Sequence, residues 1–108
     1  VNTEQVAKQN SDAYSLVVYD KEYYAYTYFL YPDLMHYPKT YVTGMNDLDG
    51  SSAEIKQEIP AGKSVLVYLQ TKEPQGAVLK RIQQEVGRGH AQKLFGPYHG
   101  FQVYHLTV

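Results

Sequence analysis

A chain of 108 residues that is 44% apolar, with a formal charge of −1, folds as one domain around one core; it is too short for two cores and too apolar for a disordered segment. Its lysines and arginines are scattered and form no basic stripe, which sets nucleic acid aside as a partner. With no cysteine, a disulfide framework, thiol catalysis and zinc–thiolate sites are excluded, and no run approaches the roughly 18 apolar residues that cross a bilayer.

Val1-Asn2-Thr3-Glu4 is polar from the outset, unlike a signal peptide, and no initiator methionine stands at position 1. The expectation is an excised domain or a processed chain. Asn2 or Thr3 is placed to cap a first short helix, with Val6 and Ala7 inward and Lys8 and Gln9 outward, ended by the turn chemistry of Asn10-Ser11-Asp12. Leu16-Val17-Val18-Tyr19 then closes on Asp20, and this β-branched run predicts a buried strand over 14–19. The aromatic segment after Asp20 has room for about two to three helical turns, with Tyr24, Tyr28 and Tyr31 on one side, Ala25, Phe29 and Leu30 close by, and Pro32 as a stop. Pro32 and Pro38 bracket Asp33–Tyr37, which reads as a short edge strand continuing into Tyr41-Val42.

Gly44–Ser52 is a loop by composition, with Ser51 or Ser52 as the cap of a short amphipathic helix that turns Ala53, Ile55 and Ile59 inward. Pro60–Lys63 is a turn. Ser64–Leu69 is apolar on both faces and predicts a central strand covered by helices on both sides. Thr71-Lys72-Glu73-Pro74 leads into a helix over 75–86, where Val78, Leu79, Ile82 and Val86 recur at three- and four-residue spacing and Gly87 is the C-terminal stop. After a loop over 88–92, the stretches 92–95 and 100–108 read as strands joined through Gly96–Gly100, an antiparallel hairpin at one edge of the sheet. The order α-β-α-β-α-β-α-β-β predicts a three-layer α/β/α domain spanning 1–108, with a mainly parallel sheet of about five strands and a C-terminal antiparallel hairpin.

Twelve tyrosines stand beside three phenylalanines and no tryptophan. Packing of amphipathic rings explains such a composition most simply; the sharper alternative is a stacking surface for sugars or bases. If a glycan is bound, the residues to test are Tyr23, Tyr24 and Tyr26 beside Asp20. Asp20 stands at the carboxyl end of a parallel strand, where open α/β sheets place their ligand crevices; capping of the next helix is the plainer role for it. His99, in the hairpin loop, is the remaining candidate ligand-binding residue, and a lone loop histidine usually faces solvent.

Other motifs fail on their own chemistry. Gly62-Lys63-Ser64 resembles the end of a phosphate-binding loop, but Gln57 stands where its first glycine belongs and the segment runs into a strand rather than opening a helix. Gly87-Arg88-Gly89 lacks the third glycine of a dinucleotide fingerprint. Asp47-Leu48-Asp49-Gly50 would need Met45 and Lys56 as calcium ligands, which neither can be. His36, His90, His99 and His105 fit no metal-ligand spacing, so neither metal nor cofactor is expected, and no serine nucleophile elbow is present. His105 in the last strand reads as cover for a sheet face.

Val17-Val18-Tyr19-Asp20, Tyr28-Phe29-Leu30-Tyr31, Ile59-Pro60-Ala61-Gly62-Lys63-Ser64-Val65-Leu66-Val67 and the aromatic-glycine terminal strand together resemble the soluble C-terminal domain of membrane glycosyltransferases. The group is that of multi-spanning enzymes using polyprenyl-phosphate-linked sugars, including the protein mannosyltransferase and aminoarabinose transferase relatives. In it a string of membrane helices precedes a small extracytoplasmic α/β domain. The catalytic carboxylates of that group lie in loops between the membrane helices, and no residue of this sequence matches them. The resemblance implies an accessory domain, not catalytic by itself, on the extracytoplasmic side of the cell membrane. Its partners would be the transmembrane part of the same chain and a glycan or lipid-linked sugar. Two readings from other classes stand beside it: a stand-alone ligand- or protein-binding α/β module, and a small hydrolase using Asp20 with a histidine such as His99.

Overall fold

Alternation of buried residues along three neighbouring strands divides the core in two. The computed structural model describes residues 3–20, 30–60, 62–85, 92–98 and 101–107. They form α1 (Thr3–Gln9), β1 (Tyr14–Tyr19), α2 (Tyr31–Leu34), β2 (Thr40–Gly44), a 3-10 turn (Met45–Asp47), α3 (Leu48–Glu58), β3 (Ser64–Gln70), α4 (Gln75–Glu85), β4 (Gln92–Tyr98) and β5 (Phe101–Thr107). The strands make one sheet in the order β2-β1-β3-β5-β4. β1 runs parallel to both β2 and β3, β5 is antiparallel to β3, and β4 is antiparallel to β5, so β5 alone opposes the common direction. This is a mixed α/β fold on a mostly parallel five-stranded sheet.

One cluster gathers Leu16 and Val18 of β1, Val65, Val67 and Leu69 of β3, and Leu106 of β5 beneath Leu48 and Ile55 of α3 and Val78, Leu79 and Ile82 of α4. The other gathers Val17, Leu66, Tyr68, Phe101 and Val103 from the opposite parity, with Val6 and Ala7 of α1 and Leu34 of α2. Successive side chains of a strand point to opposite faces, so a run buried throughout, as 65–70 is, must be covered on both. Ser64–Leu69 is a central strand as expected, one residue longer as β3.

The first helix turns Val6 and Ala7 inward as its sequence requires, and Glu4 pairs with Lys8 one turn on at 3.0 Å. Asn10 ends it: its amide and its side-chain Nδ2 both donate to the Val6 carbonyl, at 3.1 and 2.9 Å. Helix α4 begins at Gln75 as expected, and the Pro74 carbonyl accepts from the Ala77 and Val78 amides. Val86, Gly87, the aromatic stretch 21–29 and the hairpin loop at 99–100 lie outside the described residues.

Two expectations are corrected. Asp33–Tyr37 is no strand. Pro32 lies in the first turn of α2, where a missing N–H costs nothing and a fixed φ suits the helix. The Leu34 amide reaches the Leu30 carbonyl at 2.9 Å, and Tyr37 follows Leu34 at a three-residue spacing that buries both, a helical interval and not an alternating one. The edge strand starts only at Thr40 and does contain Tyr41 and Val42. The second correction concerns Gly44–Ser52. Gly44 ends β2, and α3 begins at Leu48, so Ser51 and Ser52 fall within the helix and not at its start. Leu48 and Ile55, two turns apart, are fully buried on one face, and that burial outweighs the poor helix propensity of Asp, Gly and Ser between them.

The C-terminal pair differs in length. β4 extends through Gly96-Pro97 to Tyr98, with register shifts between Lys93 and Phe95 and between Phe95 and Tyr98. A proline is tolerated there because β4 is an edge strand.

Candidate functional site

The order β2-β1-β3 means that the chain leaves β1 toward one edge and leaves β3 toward the other. The carboxyl ends of these two strands therefore form the switch point at which open α/β sheets place ligands. Asp20 stands there. Its amide donates to the Gln70 carbonyl at 2.9 Å, extending the β1–β3 ladder by one residue. Its side chain then crosses to the loop after β3. Oδ1 accepts from the Thr71 hydroxyl at 2.9 Å and Oδ2 from the Lys72 amide at 2.6 Å, while Thr71 Oγ1 itself accepts from the Glu73 amide at 3.0 Å.

Each carboxylate oxygen is thus engaged by the chain itself, and the donors come from residues 51 and 52 positions away. Asp20 fastens the exit of β1 to the entry of α4. Thr71 and Lys72 are the partners that sequence reasoning missed. The available signal was a hydroxyl residue immediately after the strongest strand, in register with an aspartate ending its parallel neighbour.

Of the other sequence-predicted site residues, Tyr23, Tyr24, Tyr26 and His99 lie outside the described residues, so Asp20 is the one whose place is given. The described tyrosines mostly pack. The Tyr37 and Tyr68 hydroxyls meet at 2.7 Å inside the core, with the rings edge to face at 6.4 Å and 71°. Burial pushes both phenols well above the ordinary tyrosine range. Tyr41 is buried below α3 and donates its hydroxyl to Glu58, which also pairs with Lys39, and the Lys39 ammonium lies 4.9 Å from the Tyr41 ring centre. The hydrogen bonds from Lys39 and then Tyr41 hold Glu58 below the usual carboxylate range. Tyr31, at 44% exposure, is the described tyrosine that presents most of its ring to solvent.

A second polar contact crosses the sheet at the amino end of β3, where His105 Nε2 and Ser64 Oγ lie 3.0 Å apart, both half-buried. His105 covers the sheet face as its strand position implies, here tied to a neighbouring strand. Among the described residues no three histidine, aspartate or glutamate side chains converge as a metal site, and no described helix is long and apolar enough to cross a membrane. No family model matches the chain, no curated protein matches it, and no solved structure matches it.

Proposed function

We propose that this chain is a non-catalytic accessory domain of a membrane glycosyltransferase that draws sugar from a polyprenyl-phosphate-linked donor. The domain sits on the extracytoplasmic side, against the transmembrane part of the same chain, and helps to place the acceptor or the lipid-linked sugar. Its layers are three, with α1 and α2 on one face of the sheet, α3 and α4 on the other, and β4–β5 closing one edge as a hairpin. The observation that carries the non-catalytic part is the Asp20 carboxylate. At the position where such a sheet would present a general acid or base, both oxygens are taken by Thr71 and Lys72. The membrane-enzyme part rests on the resemblance in sequence.

The test is an assay of sugar transfer from a polyprenyl-phosphate-linked donor. The 108-residue chain alone is expected to transfer nothing, while the enzyme that carries it, with Asp20→Ala, keeps its turnover and loses thermal stability. Transfer or hydrolysis by the isolated chain, abolished by Asp20→Ala in a variant that still folds, would overturn the accessory role and favour a small hydrolase.

A further inference from the structure

Sulfur is scarce in this chain. There is no cysteine, and two methionines, Met35 and Met45, hold all of its sulfur. Thiols and thioethers are the side chains that peroxides oxidise by two electrons, so here that chemistry falls to these two residues. The fold gives them opposite surroundings. Met45 stands in the 3-10 turn after β2 and is half-buried, packed against the cluster that holds Leu48 and Ile55. Met35 closes α2 with 78% of its surface exposed, more than any other large apolar side chain among the described residues.

The turn itself fixes that exposure. Leu34 and Tyr37, on either side of Met35, are buried in one core cluster, and the Tyr37 hydroxyl is fastened there to Tyr68 at 2.7 Å. The Met35 amide reaches the Tyr31 carbonyl at 3.3 Å, which holds the backbone in its helical course. Successive helical residues are turned by about 100°, so residues 34 and 37 facing inward leave 35 facing outward, on the side of the exposed Tyr31. We propose that Met35 is a site of reversible oxidation by peroxide, converted to its sulfoxide while Met45 is spared and the fold is kept. The Met35 Sδ lone pair attacks one peroxide oxygen. An S–O bond forms and the O–O bond breaks, sulfur gives up two electrons, and the second oxygen leaves as water with the proton of the first. A dithiol reverses the step through a methionine sulfoxide reductase: the oxygen departs as water and the dithiol becomes a disulfide.

Burial decides both which thioether reacts and what the product costs. Peroxide reaches Met35 from solvent, and the new S=O group stays hydrated there, so the folded state bears little desolvation cost. At Met45 the same oxygen would stand against apolar side chains, and the sulfur is reached mainly through local opening of the turn. Oxidation of Met35 therefore makes a polar side chain of an apolar one beside Tyr31 and changes the surface of α2 with the core untouched.

The proposal does not depend on the accessory-domain reading, and its failure would leave that reading untouched. It is tested by treating the 108-residue chain with hydrogen peroxide and following each methionine by peptide mass spectrometry. Met35 is expected to take up oxygen about tenfold or more faster than Met45 in the folded chain, and the two rates should converge in urea. The chain oxidised at Met35 alone should keep its circular dichroism spectrum and urea midpoint. The two epimer-specific methionine sulfoxide reductases, with dithiothreitol, should return it to the mass of the untreated chain. Met35→Leu should abolish the fast uptake and leave the slow one. Met45 oxidised as fast as Met35 in the folded chain, a lowered urea midpoint once Met35 alone is oxidised, or a sulfoxide that the reductases leave in place overturns the proposal.

Discussion

Asp20 is a carboxylate whose work is mechanical. Two donors from the loop after β3 converge on it, so removing the side chain takes a partner from the half-buried Thr71 hydroxyl and from the amide of the exposed Lys72. Asp20→Ala is expected to cost about 0.5–1.5 kcal/mol in urea denaturation, the net range for a lost hydrogen bond whose donors water can partly reach. Asp20→Asn, which keeps one acceptor oxygen, should cost less. Because Thr71 also holds the Glu73 amide, Asp20→Ala and Thr71→Val should combine non-additively, with a coupling of about 0.5 kcal/mol or more. Additive effects would mean that the carboxylate and the hydroxyl act independently. Glu58 gives a separate, pH-dependent signature. Its carboxyl is held down by Lys39 and then Tyr41, so the folded state binds the proton less readily than the unfolded one. That contribution is present above the ordinary glutamate range near pH 4.3 and is lost as the pH falls through the folded value. Urea midpoints should therefore decline more steeply on acidification in the native chain than in Glu58→Gln, and parallel acid limbs would contradict the assignment. The position of Asp20 at a strand end was legible in the sequence. Its partners were not, because contacts between residues 51 and 52 positions apart are set by the register of β1 against β3, which no local pattern encodes.

At the scale of elements, α3 shows tertiary burial overruling local preference. Leu48 is fully buried at the start of a segment whose next residues are Asp, Gly and Ser. Leu48→Ala should lose about 2–5 kcal/mol. Gly50→Ala should gain up to about 1 kcal/mol, since Gly50 is an exposed helix residue and an added Cβ meets nothing within 4 Å. Gly62 is the contrasting case: its φ of +86° is one that alanine adopts only with strain, so Gly62→Ala should destabilise. Denaturant titration of the three variants checks all three signs. The same comparison explains which elements could be read beforehand. β3 and α4 were plain because uninterrupted burial and a three-to-four spacing are properties of contiguous residues. β2 was misplaced because Pro32 and Pro38 bound a segment as well suited to a helical turn as to an edge strand, and the burial of Leu34 with Tyr37 decides between them.

At the scale of the whole molecule, the interior strands of the sheet and both core clusters hold the fold, with Asp20 closing the carboxyl end of β1 against β3. The proposed role as an accessory domain of a membrane enzyme asks no chemistry of that strand end. The measurement that bears most directly on this account is the nucleotide sequence of the reading frame upstream of Val1 and the hydropathy of what it encodes. The account predicts a series of apolar segments of about 20 residues each, with acidic residues in the first outward loop. A start codon or a secretory signal peptide immediately before Val1 would contradict it and leave a free-standing α/β binding module.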